Sequence, residues 1–366
     1  MNDQDHRYMR SALVLGRRGQ GNTWPNPAVG CVIVLAGRIV GRGWTQPGGR
    51  PHAETMALAQ AGVNAKGATA YVTLEPCAHT GRTRPCAAAL IAAGIARVVA
   101  AIGDSDDRVS GRGFAMLREA DVVVRTGVLA NSALQDHAGF LLKTDCGRPW
   151  VTLKLANSFD GRIATASGES RWITGSEARR AVHAMRLRHD AVLVGAGTAR
   201  ADDPDLTVRG FGTVNQPVRV VVSLRLDLPL MGQLALSAKR VPVWVCHGRE
   251  ADSNLRMAWS GLGARLIECS QTAGRLDIGR VLQALGDLGL TRILCEGGGV
   301  LSAALLQHGL VDEIVGFTAG LALGAEGRPS LGSLGHDRLA DATRFELIET
   351  RAIGGDVLHR WHRLVP

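Results

Sequence analysis

Aromatic residues supply only 4% of the 366-residue sequence, and its excess of 42 lysines and arginines over 33 acidic residues, a formal charge of +9, is dispersed along the chain. A groove for nucleic acid combines a basic stripe with stacking rings. No nucleic-acid partner is therefore expected, and the positive balance suits small phosphorylated ligands instead. No apolar run approaches the length of a bilayer-spanning helix, so no membrane partner is expected either. The opening Met1-Asn2-Asp3-Gln4-Asp5-His6 is polar and acidic without an apolar core, and no secretory signal is expected. Seven cysteines form an odd set with no regular framework. Cys31, Cys146, Cys246, Cys269 and Cys295 read as buried or incidental thiols in a reducing, cytoplasmic compartment. No internal repeat or low-complexity segment stands out. With 46% hydrophobic and 20% charged residues the chain can build substantial cores, and its length favours two domains.

What is present is concentrated between Pro51 and Cys86. His52-Ala53-Glu54 is followed by Glu75-Pro76-Cys77 and, after His79 and Arg82, by Pro85-Cys86. One histidine and two thiolates are suitable ligands for a catalytic zinc, which keeps its fourth position open for water. Glu54 is placed to carry protons rather than to bind metal. Pro51 suits a helix start and Cys86 opens an alanine-rich run, so two helix N-termini face the metal and favour thiolate over thiol. A structural zinc would need a fourth protein ligand, for which His79 is the candidate, and Glu54 would then be idle. The constellation is one that zinc deaminases use, although the two cysteines stand nine positions apart, wider than a Cys-x-x-Cys pair.

Asp5 to Arg18 reads as an amphipathic helix. Asn26 lies between Pro25 and Pro27, its amide held out for a ligand or simply forming a turn. Cys31 to Leu35 and Arg38 to Gly41 read as a hairpin, and strands over Ala70 to Leu74, Arg97 to Ile102 and Val122 to Thr126 alternate with helices, which indicates an α/β layer fold. The polar stretch between Leu141 and Trp150 is the expected boundary, giving domains 1–145 and 147–366. Beyond it come a strand over Val151 to Ala156, a helix from Ser176, its N-cap, to His189, and a short strand Ala191 to Val194 that runs into Gly195-Ala196-Gly197-Thr198. Arg292 to Cys295 runs into Glu296-Gly297-Gly298-Gly299 and a helix to His308, a strand–turn–helix arrangement suited to cradle phosphate.

Taken together, Pro25-Asn26-Pro27-Ala28-Val29-Gly30, the zinc motifs, Lys154 with Ser158-Phe159-Asp160-Gly161-Arg162, Ser167-Gly168-Glu169-Ser170, Gly195 to Thr198, Asp202 to Arg209 and Glu296-Gly297-Gly298 resemble the bifunctional riboflavin-biosynthesis deaminase/reductases over essentially the whole chain. The resemblance implies a cytidine-deaminase-like three-layer domain followed by a dihydrofolate-reductase-like α/β domain, with zinc and NADPH as cofactors. It implies zinc on His52, Cys77 and Cys86, and Glu54 moving protons from the attacking water to the departing ammonia. Asn26, His79 and Arg82 then match positions that bind a phosphorylated pyrimidine. In the second domain, substrate contacts fall on Ser170, Arg186, Leu206, Arg209 and Glu296, with Lys154 beside the reacting sugar. NADPH contacts fall on Ala156, Trp172, Thr198, Asp202, Ser223 and the run Gly298, Gly299, Val300, Leu301, Ser302, Ala303 and Ala304. A homo-oligomer, dimer or tetramer, is implied as well. Members often carry a histidine seven residues before the zinc histidine; here it is Thr45, whose hydroxyl can bond a substrate but cannot carry positive charge. A nucleic-acid base deaminase with an accessory domain, or an inactive zinc-stabilised binding protein, are the competing readings.

Overall fold

The computed structural model describes residues 3–78, 84–105 and 110–364. It divides into two compact units, Met1–Arg148 and Pro149–Pro366.

Among the described residues, the first unit runs α1 (Asp3–Gly16), β1 (Gly30–Leu35), β2 (Arg38–Trp44), α2 (Ala53–Ala61), β3 (Thr69–Val72), α3 (Cys86–Ala92), β4 (Arg97–Ala100), α4 (Arg112–Glu119), β5 (Val123–Arg125) and α5 (Ala130–Cys146). The sheet order is β2-β1-β3-β4-β5. The hairpin β1–β2 turns at Ala36-Gly37, and β3, β4 and β5 run parallel to one another. Glycine decides how the layers stack. A Cβ on Gly30 would overlap the Ala12 carbonyl of α1, whereas one on Gly41 or Gly43 would overlap the Ala57 or Ala53 carbonyl of α2. Gly43 stands opposite Cys31, and Gly41 opposite Ile33, so both share a face that Gly30, one step along, does not. The helices therefore press on opposite faces of the hairpin, giving three layers. Asp5 pins the start of α1: its buried carboxylate takes hydrogen bonds from Arg97 of β4, Arg125 of β5 and the Tyr71 hydroxyl of β3.

The polar stretch after Leu141, within which the domain boundary is expected, is helical as far as Cys146, where Gly147 closes α5 with a left-handed backbone. The second unit then runs β6 (Trp150–Ser158), β7 (Arg162–Ala164), α6 (Ser176–Leu187), β8 (Ala191–Gly195), α7 (Ala196–Asp202), β9 (Val218–Val222), α8 (Gln233–Ser237), β10 (Val243–His247), α9 (Ser253–Gly261), β11 (Arg265–Glu268), β12 (Gln271–Thr272), β13 (Arg275–Leu276), α10 (Ile278–Asp287), β14 (Arg292–Cys295), α11 (Gly299–Gln307), β15 (Glu313–Ala319), β16 (Arg328–Pro329), β17 (Phe345–Ile353) and β18 (Asp356–Arg363). Its main sheet has the order β11-β10-β9-β8-β14-β6-β15-β18-β17. The strands from β11 to β15 are parallel and β18 and β17 antiparallel. Of the parallel strands, β8, β9, β10 and β14 are short, mostly apolar and buried runs, and β14 lies between β8 and β6. Ser176 does not cap α6. Gly175 occupies that position, its N–H held by Asp356, while the Ser176 hydroxyl bonds Glu177.

Gly43→Ala is expected to destabilise the first unit by about 1–3 kcal/mol through overpacking against α2. Urea unfolding checks this, and an unchanged midpoint would show that α2 has room to move.

Candidate active sites

In the first unit β2 leads through a short turn to His52, which occupies the N-cap of α2; Glu54 lies in the first turn, only 3% exposed. Cys77 follows β3, and Cys86 is the first residue of α3, with Pro85 before it. The His52 Nδ1 lies 3.3 Å from Cys86 Sγ and 3.7 Å from Cys77 Sγ. All three ligand atoms lie within 4.8 Å of one another. Zinc–sulfur bonds of about 2.3 Å and zinc–nitrogen bonds of about 2.0–2.1 Å put tetrahedral neighbours roughly 3.5–3.8 Å apart. The triad therefore fits one zinc ion, with borderline-soft donors of the right number for a site that keeps a position open.

The electrostatics agree with that chemistry. A hydrogen bond from Cys86, then one from His52, draws the Cys77 thiol down to about 4, and the same bond pushes Cys86 upward. His52 is raised, chiefly by its bond to Cys77. Burial, reinforced by the charge of Cys77, pushes Glu54 up to about 7. The Cys86 N–H also donates to Cys77 Sγ at 3.4 Å, so the N-terminus of α3 supports the thiolate.

Asn26 is half-buried against Gly49: its amide nitrogen donates to the Gly49 carbonyl at 3.2 Å. His79 and Arg82 lie outside the described residues. Thr45 does not offer its hydroxyl to a ligand. It is 2% exposed, its Oγ1 accepts the Val29 N–H and its own N–H bonds the Val29 carbonyl. It fixes the end of the proline loop instead.

In the second unit the carboxyl ends of neighbouring parallel strands form the site. β8 ends in Gly195 and β14 in Cys295, and each chain then turns into a helix. The two turns meet where the Gly298 N–H donates to the Thr198 hydroxyl at 3.1 Å. Lys154 stands on β6, one strand away. Burial depresses its ammonium, and the charge of Glu296 partly restores it. Arg186 of α6 grips Glu296 through two bonds of 2.6 and 3.0 Å and donates to the Thr207 carbonyl at 2.8 Å. Burial opposes the charge on Glu296, yet Arg186 holds its carboxyl below the usual range. Lys154, Arg186, Glu296 and the Leu206–Thr207 backbone are thus brought together.

Other expected residues divide by what they can reach. Leu206 has a left-handed backbone and a side chain packed in the core, so any ligand contact it makes is through the main chain. Arg209 is exposed, and its N–H donates to His183 Nδ1. Ser170 is half-buried in the loop before the exposed Trp172, over whose ring Arg179 lies at 4.5 Å. The Asp202 carbonyl accepts from Arg171. Ala156 is half-buried near the end of β6. The Ser223 hydroxyl is buried and spent on Asp227. In α11, Val300 is 77% exposed whereas Ser302 and Ala303 are buried, with Gly299, Leu301 and Ala304 between these extremes or packed on neighbours. Only part of that run can therefore meet a cofactor with side chains.

Sequence reasoning missed two residues. Arg219, 0% exposed on β9, bonds Ser237, the Val241 carbonyl and the Asp205 carbonyl, and so suspends the loop that carries Leu206 and Arg209 from the core. The signal was an arginine inside the apolar run Val218 to Val222. Glu75 is the other, with its four backbone hydrogen bonds.

A family profile described as the RibD C-terminal domain matches residues 149–359, and one described as the cytidine and deoxycytidylate deaminase zinc-binding region matches residues 2–102. The riboflavin biosynthesis protein RibD of Escherichia coli is 42% identical, covering 97% of this chain and 98% of its own; that of Aquifex aeolicus is 38% identical, covering 97% of each. The structure of Acinetobacter baumannii RibD, form 2, superposes with a TM-score of 0.87 at 38% identity over 99% of both chains. A Thermotoga maritima diaminohydroxyphosphoribosylaminopyrimidine deaminase/5-amino-6-(5-phosphoribosylamino)uracil reductase superposes at 0.86 and 30% identity, again over 99% of both. With a zinc-type deaminase unit and an NADPH-type reductase unit in one chain, the protein belongs to the RibD family of bifunctional riboflavin-biosynthesis enzymes.

Proposed function

We propose that residues 1–145 hydrolytically deaminate 2,5-diamino-6-(5-phosphoribosylamino)pyrimidin-4(3H)-one and that residues 147–366 then reduce the ribosyl group of the product to a ribityl chain with NADPH. The convergence of His52, Cys77 and Cys86 beside buried Glu54 carries the first half of this reading. Bound there, zinc would supply a nucleophilic water at neutral pH. Glu54, buried in the first turn of α2 beside the three ligands, takes a proton from the attacking water and returns it to the departing ammonia. Asn26 and His79 orient the pyrimidine, and Arg82 binds its phosphate.

For reduction, NADPH would supply the hydride to the ribose C1′. Lys154, its ammonium made more acidic by burial, protonates the ring oxygen as it is released. Glu296 fixes the substrate while Arg186, committed to Glu296 and Thr207, orients that carboxylate. Ser170, Leu206 and Arg209 complete the substrate contacts. Ala156, Trp172, Thr198, Asp202 and the accessible part of the segment Gly298 to Ala304 hold the cofactor, with buried Ser223, Ser302 and Ala303 supporting those contacts from beneath. The seven free cysteines suit a cytoplasmic setting, and among the described residues no helix is long and apolar enough to cross a membrane. A homo-oligomer is part of the same proposal, supported by Leu347 and Ile348 exposed on the edge strand β17.

Glu54→Gln should lower ammonia release by about 10²–10⁴-fold with zinc retained, whereas Cys77→Ser or Cys86→Ser should lose the metal. Turnover near the parent rate in Glu54→Gln would refute its role, and full zinc in both cysteine variants would refute the ligand set. Lys154→Ala should slow reduction of the deaminated substrate by about 10²-fold or more while NADPH still binds. A chelator should abolish ammonia release and leave that reduction intact; parallel loss of both steps would contradict the assignment of one activity to each unit. Light scattering should give a mass of two or four chains, and a concentration-independent monomer would exclude the oligomer.

A further inference from the structure

Glu75 is buried, 4% exposed, and no part of the reaction proposed above uses it. Its Oε1 accepts the N–H groups of Gly113 at 2.9 Å and Phe114 at 3.2 Å; its Oε2 accepts those of Gly111 at 3.1 Å and Asp104 at 3.3 Å. Three of these donors belong to the start of α4, whose own N-cap is Gly111 and offers no side chain. The helix is thus capped from a residue 36 positions away, by a full carboxylate where partial positive charge collects. At the same helix start the Pro76 carbonyl, with the Glu75 side chain beside it, fills the space that a Cβ on Gly113 would need. Glu75 and Pro76 are thus both seated against the first turn of α4, and the Pro76 ring removes a further backbone torsion.

The next residue is Cys77. Its carbonyl accepts the Ala87 N–H at 3.2 Å and its sulfur accepts the Cys86 N–H at 3.4 Å, so α3 and Cys86 are registered against it. The chain of restraint runs from α4 through Glu75 and Pro76 to Cys77, and from there to Cys86. We infer that Glu75 is a positioning residue for the zinc centre, holding the Cys77 sulfur where it meets His52 and Cys86. The inference rests on the reading of those three residues as zinc ligands.

Groups that orient metal ligands typically change metal affinity by about 10–100-fold when removed. Glu75→Gln keeps the shape but substitutes an amide NH₂ for one acceptor oxygen, so N–H groups of α4 face a donor. Gly113→Ala presses on the Pro76 carbonyl and crowds the Glu75 carboxylate, and serves as the second variant. The experiment uses full-length, zinc-loaded protein and follows zinc transfer to a colorimetric chelator, with Cys77→Ser as a control. Circular dichroism melts of the metal-free proteins and NADPH oxidation on deaminated substrate accompany it. The expected result is zinc release at least tenfold faster in both variants with parent-like reduction, the melt of metal-free Glu75→Gln staying close to the parent's while Gly113→Ala, whose Cβ overlaps backbone as that of Gly43→Ala does, melts lower. Release at the parent rate in Glu75→Gln would overturn the inference, and so would faster release matched by general melting of metal-free Glu75→Gln. Retention of zinc by Cys77→Ser would instead overturn the ligand assignment on which it rests.

Discussion

Two sulfurs, an imidazole and a carboxylate share a small, largely buried volume in the first unit, and such a cluster is tolerable only if positive charge is shared among them. Protons alone satisfy it poorly. Cys77 is driven down while Cys86 and Glu54 are driven up, because no single protonation pattern suits every member. A dication resolves the conflict at one point, and the surrounding architecture serves that point. Glycines in β2 let α2 approach so that His52 and Glu54 reach inward, and two helix starts converge on the sulfurs.

The second unit solves a different problem, that of seating a large anionic cofactor beside a sugar. Adjacent parallel strands β8 and β14 end within two residues of one another, and the segments that follow are tied where the Gly298 N–H donates to the Thr198 hydroxyl. Glu296, paired with Arg186, stands directly after β14. A buried ion pair is weak evidence of net stabilisation, since desolvation offsets most of its attraction. Its value lies in direction: two parallel bonds fix the carboxylate plane and leave Lys154 facing a charge of known position.

Much of this was legible in the sequence because the chemistry demands particular side chains at strand ends and helix starts. His52, Glu54, Cys77 and Cys86 announce themselves by type and spacing, and Arg292 to Cys295 announces itself by an apolar run stopped by glycines. Less legible were features set by distant partners. The hydroxyl of Thr45 looked available until Val29 claimed it, and Ser176 looked like a cap until Asp356, 181 positions away, held Gly175. Strands β9 and β10 carry no motif, since a buried parallel strand needs only to be apolar. α5 hides its periodicity, for few of its residues are buried. Glu75 was read only as part of a cysteine motif, because nothing local shows that a carboxylate will cap a helix 36 residues on.

The loop from Asp203 to Arg209 has no regular secondary structure, yet Arg219 ties it to the interior with a guanidinium that water does not reach. To lift that loop away, the molecule would have to carry a cation through the apolar layer between β9 and α8, or abandon it there with bonds unmade. Opening therefore strips the buried guanidinium of the Asp205 carbonyl and Arg186 of the Thr207 carbonyl, a cost that the fast local fraying usual for a surface connection does not carry. A segment without regular structure would then exchange its amides more slowly than an untethered loop of the same length.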